Sequence, residues 1–129
     1  MTLPTVGLAV SLALAFTACS TADENPQTRD EFSVAADGLC RTAAVADDLA
    51  AARSVFFDTV HQPLHQLADD TTAEDRGAAA ALLEAKQRVE AALDTADPSL
   101  PAAVDELIDA TGDALETLDR PGPDCETDR

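Results

Sequence analysis

Aromatic residues are scarce in this chain, which has 129 residues but only four Phe and no Trp or Tyr. A core without large aromatic side chains has to be built from Ala and Leu, which favours closely spaced helices over a roomy ligand pocket. The only methionine is Met1 and there is no Cys-x-x-Cys-His motif, which argues against haem. The chain also lacks a glycine-rich phosphate loop and a Gly-x-Ser-x-Gly elbow. We therefore expect a protein that is not an enzyme, and we assign no catalytic residue.

Positive charge is scarce as well, with eight Lys and Arg against 25 Asp and Glu and a net charge of -17. Nucleic acids and anionic lipid headgroups are bound through clusters of Lys and Arg. The composition therefore predicts no nucleic-acid partner. The excess negative charge favours solubility, but it adds self-repulsion that the fold has to offset.

Charge of either sign is absent from the first 22 residues. Their apolar stretch ends in small residues, as in a secretory signal and its cleavage site. The sequence FTAC at positions 16–19 resembles the lipobox of bacterial lipoproteins. The resemblance implies cleavage after residues 1–18, a diacylglyceryl group on the sulfur of Cys19, and anchoring on the extracytoplasmic face of the cell membrane. An ordinary secretory signal and an uncleaved anchor are the alternatives, although residues 3–18 fall short of the roughly 20 that span a bilayer.

If Cys19 carries the lipid, Cys40 and Cys125 are the only other cysteines. In an exported protein we expect these two to form a disulfide, because that compartment is oxidising. The bond would close almost the whole domain and, by the chain-entropy estimate, contribute about 4 to 5 kcal/mol. That is a large share of the net stability of a small domain.

The remainder of the chain divides into a polar spacer, residues 19–27, and an acidic helical domain, residues 28–129. Apolar residues recur at three- and four-residue spacing throughout the domain, and no segment alternates with period two. Thr28 with Glu31, and Thr71 with Glu74, have the form of capping boxes that start helices. A break at residues 97–99 and a Pro-Gly-Pro stop at 121–123 delimit the last helix. The pattern predicts an all-α fold.

The sequence leaves open whether residues 28–70 form one helix or two, because no Gly or Pro lies between Leu39 and Gln62 to mark a break. Local sequence favours one long bent helix and a three-helix domain. Such a helix would be about 64 Å long and would leave Cys125 far from Cys40. A turn at residues 46–48 instead gives four helices of similar length, running up, down, up and down, whose C-terminal tail reaches Cys40. We prefer this four-helix bundle, with Asp48 capping the second helix and Pro63 kinking it.

Two histidines offer a candidate metal site, because His61 and His65 lie four residues apart on one helix face. That spacing lets both imidazoles bind one Cu or Zn ion. Asp58 and Asp69 fall on the same stripe and supply carboxylates as further ligands or as acceptors. The stripe lies away from the apolar face of its helix, so a solvated polar surface is the alternative. No other cofactor is expected.

The only lysine, Lys86, falls within the apolar stripe of its helix. A side chain whose stem covers apolar surface while Glu90 holds its charge is one interpretation. The other is a buried polar site in which Lys86 and Glu90 meet a group of the second helix. For the whole protein, we expect a membrane-anchored module that binds or scaffolds another envelope protein. The alternative is a metal-binding envelope lipoprotein that uses His61 and His65.

Overall fold

The computed structural model describes residues 30–126, so the leader, the whole spacer and Thr28 lie outside the described part. Four helices make up this part, joined by short connections and without any strand among residues 30–126. They are α1 (Glu31–Ala44), α2 (Leu49–Val55, a π-helical turn Phe56–Val60 and His61–Glu74), α3 (Arg76–Thr95) and α4 (Leu100–Thr117). The predicted all-α fold is confirmed.

Neighbouring helices run antiparallel, as the side-chain contacts between them show. Residues near one end of a helix meet residues near the opposite end of its neighbour, and the start of α1 meets the chain just after α4. The ion pairs that record this order are Arg53 with Asp94, His61 with Glu90, Arg88 with Glu106 and Asp30 with Arg120. The helices therefore form the predicted up-down-up-down bundle.

Small and aliphatic side chains fill the core between the four helices. Its largest fully buried members are Phe56, Leu39, Leu64, Leu67, Leu82, Leu93, Leu107 and Leu115. Alanines on every helix complete it, among them Ala35, Ala52, Ala85 and Ala114. The expected Ala and Leu core is confirmed. None of the helices described is long and apolar enough to cross a membrane.

The chain turns between α1 and α2 at residues 45–48, where the sequence predicts a turn. Asp48 ends the turn as an N-cap, and its side chain accepts a hydrogen bond from the backbone N–H of Ala51 at 3.0 Å. That bond satisfies a donor that helix geometry leaves free. The prediction of Asp48 as the cap is confirmed, and the alternative of one long helix over residues 28–70 is wrong.

Two other predicted helix starts need correction. Helix α1 begins at Glu31 and is capped by Asp30, whose carboxylate accepts from the N–H groups of Phe32 and Ser33, so Glu31 is not in the third helical position. Thr71 lies inside α2, which continues to Glu74, and it is fully buried as the last residue of the face that α2 packs against the core. The cap of α3 is Asp75, which bonds the N–H groups of the following helix turn. In both cases a nearby aspartate takes the capping role from threonine.

Pro63 disturbs α2 without ending it. A proline inside a helix has no N–H to donate and crowds the carbonyl four residues before it, here that of Thr59. The π-helical turn Phe56–Val60 lies at this place and widens the backbone. The turn packs against α1 at Gly38, where a Cβ atom would lie 2.6 Å from Thr59 Oγ1 and 2.7 Å from Val60 Cγ2. At the place where the sequence predicts a kink, the structure thus has a widened turn that packs against a glycine of α1.

The C-terminal tail crosses back over the bundle after α4 ends at Thr117. Arg120 joins it to the start of α1, through an ion pair with Asp30 at 3.0 Å and a position 4.9 Å above the ring of Phe32. Beyond it, Cys125 forms a disulfide with Cys40, with 5.0 Å between the two Cα atoms. The predicted pairing is confirmed, and it fixes the tail to the middle of the bundle.

Candidate functional site

The ammonium group of Lys86 lies near the edge of the bundle, beneath its surface. Its side chain is only 3% exposed, surrounded by the apolar face of α3. Lys86 Nζ lies 2.6 Å from Glu90 Oε1, one helix turn further on. Glu90 is a quarter exposed, so this pair stands where the core meets solvent. A buried charge is tolerated only when it is paired, and Glu90 supplies that partner.

The same Glu90 oxygen also contacts the second helix. His61 Nε2 of α2 lies 2.8 Å from Glu90 Oε1. One carboxylate oxygen therefore holds an ammonium group of its own helix and an imidazole of the neighbouring helix. We call these three residues, Lys86, Glu90 and His61, the polar triad. The triad thus joins Lys86 and Glu90 of α3 to one of the two histidines of α2.

The position of His61 follows from the π-helical turn that directly precedes it. A turn closed by bonds between residues five apart inserts one residue, which rotates everything after it relative to a regular α-helix. The His61 side chain is 31% exposed and contacts Glu90, whereas Asp58, His65 and Asp69 are exposed. A helical wheel drawn through residues 58–69 cannot reveal this rotation, since the wheel assumes unbroken α geometry.

The environment of His61 favours its neutral form. Burial lowers the pKa of His61 below its ordinary value of 6.5, and the Lys86 charge lowers it further, against the opposing effect of Glu90. A carboxylate oxygen 2.8 Å from Nε2 requires the ring proton on that nitrogen, because two lone pairs would repel. The neutral ring therefore keeps Nδ1 as its nitrogen with a free lone pair.

Aromatic rings surround the outer edge of His61. The His65 ring is 5.0 Å away and nearly perpendicular, and the Phe57 ring is 5.4 Å away. Phe57 is 39% exposed, the only large hydrophobic side chain that is exposed among residues 30–126. The guanidinium of Arg53 lies 5.3 Å from the Phe57 ring centre and 2.9 Å from Asp94 of α3. We call Arg53, Phe57, His61 and His65 the α2 patch.

Among residues 30–126 the structure records no contact of His61 or His65 with the two aspartates predicted to join them. Asp58 is exposed and accepts a hydrogen bond from Ser54 at 3.0 Å, and Asp69 is also exposed. Within residues 30–126 no group of three or more His, Cys, Asp or Glu side chains is placed to hold a metal ion. The nearest carboxylate contact of His61 that the structure records is Glu90, on another helix.

The largest groove, about 800 Å³, lies at the opposite side of the bundle, between the start of α1 and the C-terminal tail. Arg41 and Arg120 line it together with acidic residues that include Asp30 and Asp124. Ser33 contributes the only side-chain hydroxyl among the described residues of its lining, and none of these residues is a histidine.

The sequence matches no protein-family model, and it matches neither a curated protein nor a solved structure. Any function has to be argued from the geometry of this chain itself. Cys19 lies outside the described residues, so its lipidation stays a prediction.

Proposed function

We propose that the protein is a lipoprotein, anchored through Cys19 on the extracytoplasmic face of the cell membrane, whose bundle binds another envelope protein without catalysing a reaction. The observation that carries the proposal is the disulfide between Cys40 and Cys125. Structural disulfides persist in oxidising compartments outside the cytoplasm, which favours export. The bond accounts for two of the three cysteines of the sequence, and the third, Cys19, stands in the position that the lipobox resemblance gives to the lipid.

The anchoring step is tested by comparing the full-length chain with its Cys19→Ser variant in a bacterial host that lipidates exported proteins. The expected wild-type product begins at Cys19, carries the diacylglyceryl mass and sediments with membranes, whereas Cys19→Ser carries no lipid. Ser20→Ala, one residue further on, is the matched control and should behave as wild type. A wild-type product that lacks the lipid mass contradicts the proposal. Intact-mass analysis of the membrane and soluble fractions gives the answer.

The binding role is supported by the surface of the bundle, since its interior is filled mainly by Ala and Leu side chains. On the outside, the α2 patch combines Phe57 with Arg53, and aromatic and arginine side chains are enriched at the centres of protein interfaces. We therefore assign the contact surface to this patch.

Affinity capture from solubilised membranes tests the contact surface with three proteins, the wild type, Phe57→Ala and Gln66→Ala. Gln66 is exposed on the same helix outside the patch. A specific partner should be retained by the wild type and by Gln66→Ala. Truncating an aromatic side chain at an interface centre costs about 2 kcal/mol, so Phe57→Ala should lose about 30-fold in affinity. A protein captured equally by all three forms would place the interface elsewhere.

A further inference from the structure

The two histidines of the α2 patch lie in a geometry suited to a transition metal. Their ring centres are 5.0 Å apart and the ring planes are at 77°. Metal to imidazole nitrogen distances are about 2.0 to 2.1 Å, which two rings at this spacing can reach. The pair sits one helix turn apart, so the backbone fixes the spacing of the two rings.

Glu90 provides the feature that distinguishes this pair from two histidines on a solvated surface. Histidines that bind metals commonly donate their second ring nitrogen to a carboxylate, which fixes the tautomer and makes the ligating nitrogen more basic. His61 has this arrangement already, with Nε2 at 2.8 Å from Glu90. Lys86 in turn contacts the same oxygen at 2.6 Å and keeps the carboxylate in place. Two side chains of α3, the buried Lys86 and the partly buried Glu90, therefore hold the His61 ring on its Nε2 side.

We propose that His61 and His65 bind one divalent transition-metal ion, His61 through Nδ1, with Glu90 as the positioning residue that holds His61 and with solvent completing the coordination. Imidazole nitrogen suits Cu(II), Ni(II) and Zn(II), and Cu(II) binds tightest in the general order of affinities. The negative net charge of the protein attracts cations, and the Phe57 ring 5.4 Å from His61 shields one side from water. The site uses neither Asp58 nor Asp69 as a ligand.

Calorimetry and electron paramagnetic resonance with Cu(II) test the site on the full chain in detergent, in a Cys19→Ser background, so that no chain lacking the lipid offers a thiol to Cu(II). One ion per chain should bind, and the spectrum should carry the splitting of two nitrogen ligands. His65→Ala should abolish this two-nitrogen signal. Glu90→Gln should keep both nitrogens but weaken binding about 10- to 100-fold, the usual effect of losing such a carboxylate partner. Circular dichroism and the intact disulfide establish that each variant is folded.

Asp58→Asn and Asp69→Asn serve as matched controls, because each removes one exposed carboxylate of the same helix. Both should bind Cu(II) as the background protein does. Equal heats for the background protein and a His61→Ala, His65→Ala double variant would overturn the proposal, as would a spectrum with fewer than two nitrogens. A loss in Asp58→Asn or Asp69→Asn as large as that in Glu90→Gln would overturn the role given to Glu90.

Discussion

Two segments of the chain, residues 45–48 and residues 56–63, depart in opposite ways from what helix propensity predicts. The first breaks a helix although it contains neither Gly nor Pro, and the second continues a helix although it contains Pro63. Propensity alone predicts the reverse, because proline is by far the least favourable residue inside a helix and alanine is the most favourable. At both places, therefore, the tertiary structure decides the backbone.

The reasons differ between the two places. At residues 45–48 the chain reverses so that α1 and α2 can bury their apolar faces against each other, and the Asp48 cap stabilises the new helix start. At residues 56–63 the helix widens, and Gly38 of α1 makes room for Thr59 and Val60 of the widened turn. A helix end leaves backbone groups unsatisfied and a π-helical turn interrupts the regular hydrogen bonding of the helix, and each is accepted where burial of apolar surface outweighs its cost.

Among the changes that test this comparison, removing the disulfide should have the largest effect on stability. The loop between Cys40 and Cys125 has a sequence separation of 85, so the Cys40→Ser, Cys125→Ser variant should lose about 4 to 5 kcal/mol of unfolding free energy. Without the bond, residues 31–74 lose the restraint that favours a reversal over one continuous helix. Urea unfolding followed by circular dichroism measures the loss. A change below about 1 kcal/mol would mean that helix packing alone sets the turn.

Pro63→Ala should stabilise the protein, since it restores an N–H group and removes the crowding at the Thr59 carbonyl. The full difference between Pro and Ala inside a helix is about 3 kcal/mol. The π-helical turn has already relieved part of it, and proline also restricts the unfolded chain, so we expect a gain of about 1 to 2 kcal/mol. Pro101→Ala is the control, because Pro101 lies in the first turn of α4, where proline is well tolerated. Urea unfolding that shows Pro63→Ala no more stable than Pro101→Ala would indicate that packing on Gly38 holds the widened turn.

Asp48→Ala should weaken the turn at its one capping bond. Losing an N-cap aspartate costs about 1 kcal/mol, because the N–H group of Ala51 then has no side-chain acceptor. Asp47→Ala removes an exposed carboxylate from the same turn and should change stability by less than about 0.5 kcal/mol. Equal losses in the two variants would attribute the effect to charge and not to capping. Thermal and urea unfolding of both variants measure the difference.

Sequence reasoning recovers the features that depend on composition and chain closure. The apolar spacing predicts helices, the near absence of aromatic residues predicts the Ala and Leu core, and the pairing of Cys40 with Cys125 selects four helices over three. It misses features that depend on competition between neighbours or on contacts between helices. Asp30 and Asp75 cap helices whose starts the threonines at 28 and 71 were predicted to mark, because a carboxylate one or two residues from the helix start accepts the same N–H bonds. The contact of His61 with Glu90 depends on the register of two helices and on the rotation at the widened turn. Neither can be predicted from the sequence of one helix alone.

The smallest predicted effect concerns His61, the first residue after the widened turn. Its pKa is lowered from 6.5 in the folded protein, so below pH 6.5 the unfolded state binds the proton more readily than the folded state does. The contribution of neutral His61 to stability is therefore complete above pH 6.5 and is lost as the pH falls towards its folded pKa. Because the ring is 31% exposed, solvent screens the effect and the slope should be shallow. His61→Gln should flatten the dependence of the melting temperature between pH 7 and pH 5, and His65→Gln, one turn further on, should retain most of it. A slope that persists in His61→Gln would assign it to the carboxylates of the bundle, and would mean that the widened turn positions His61 without coupling its protonation to folding.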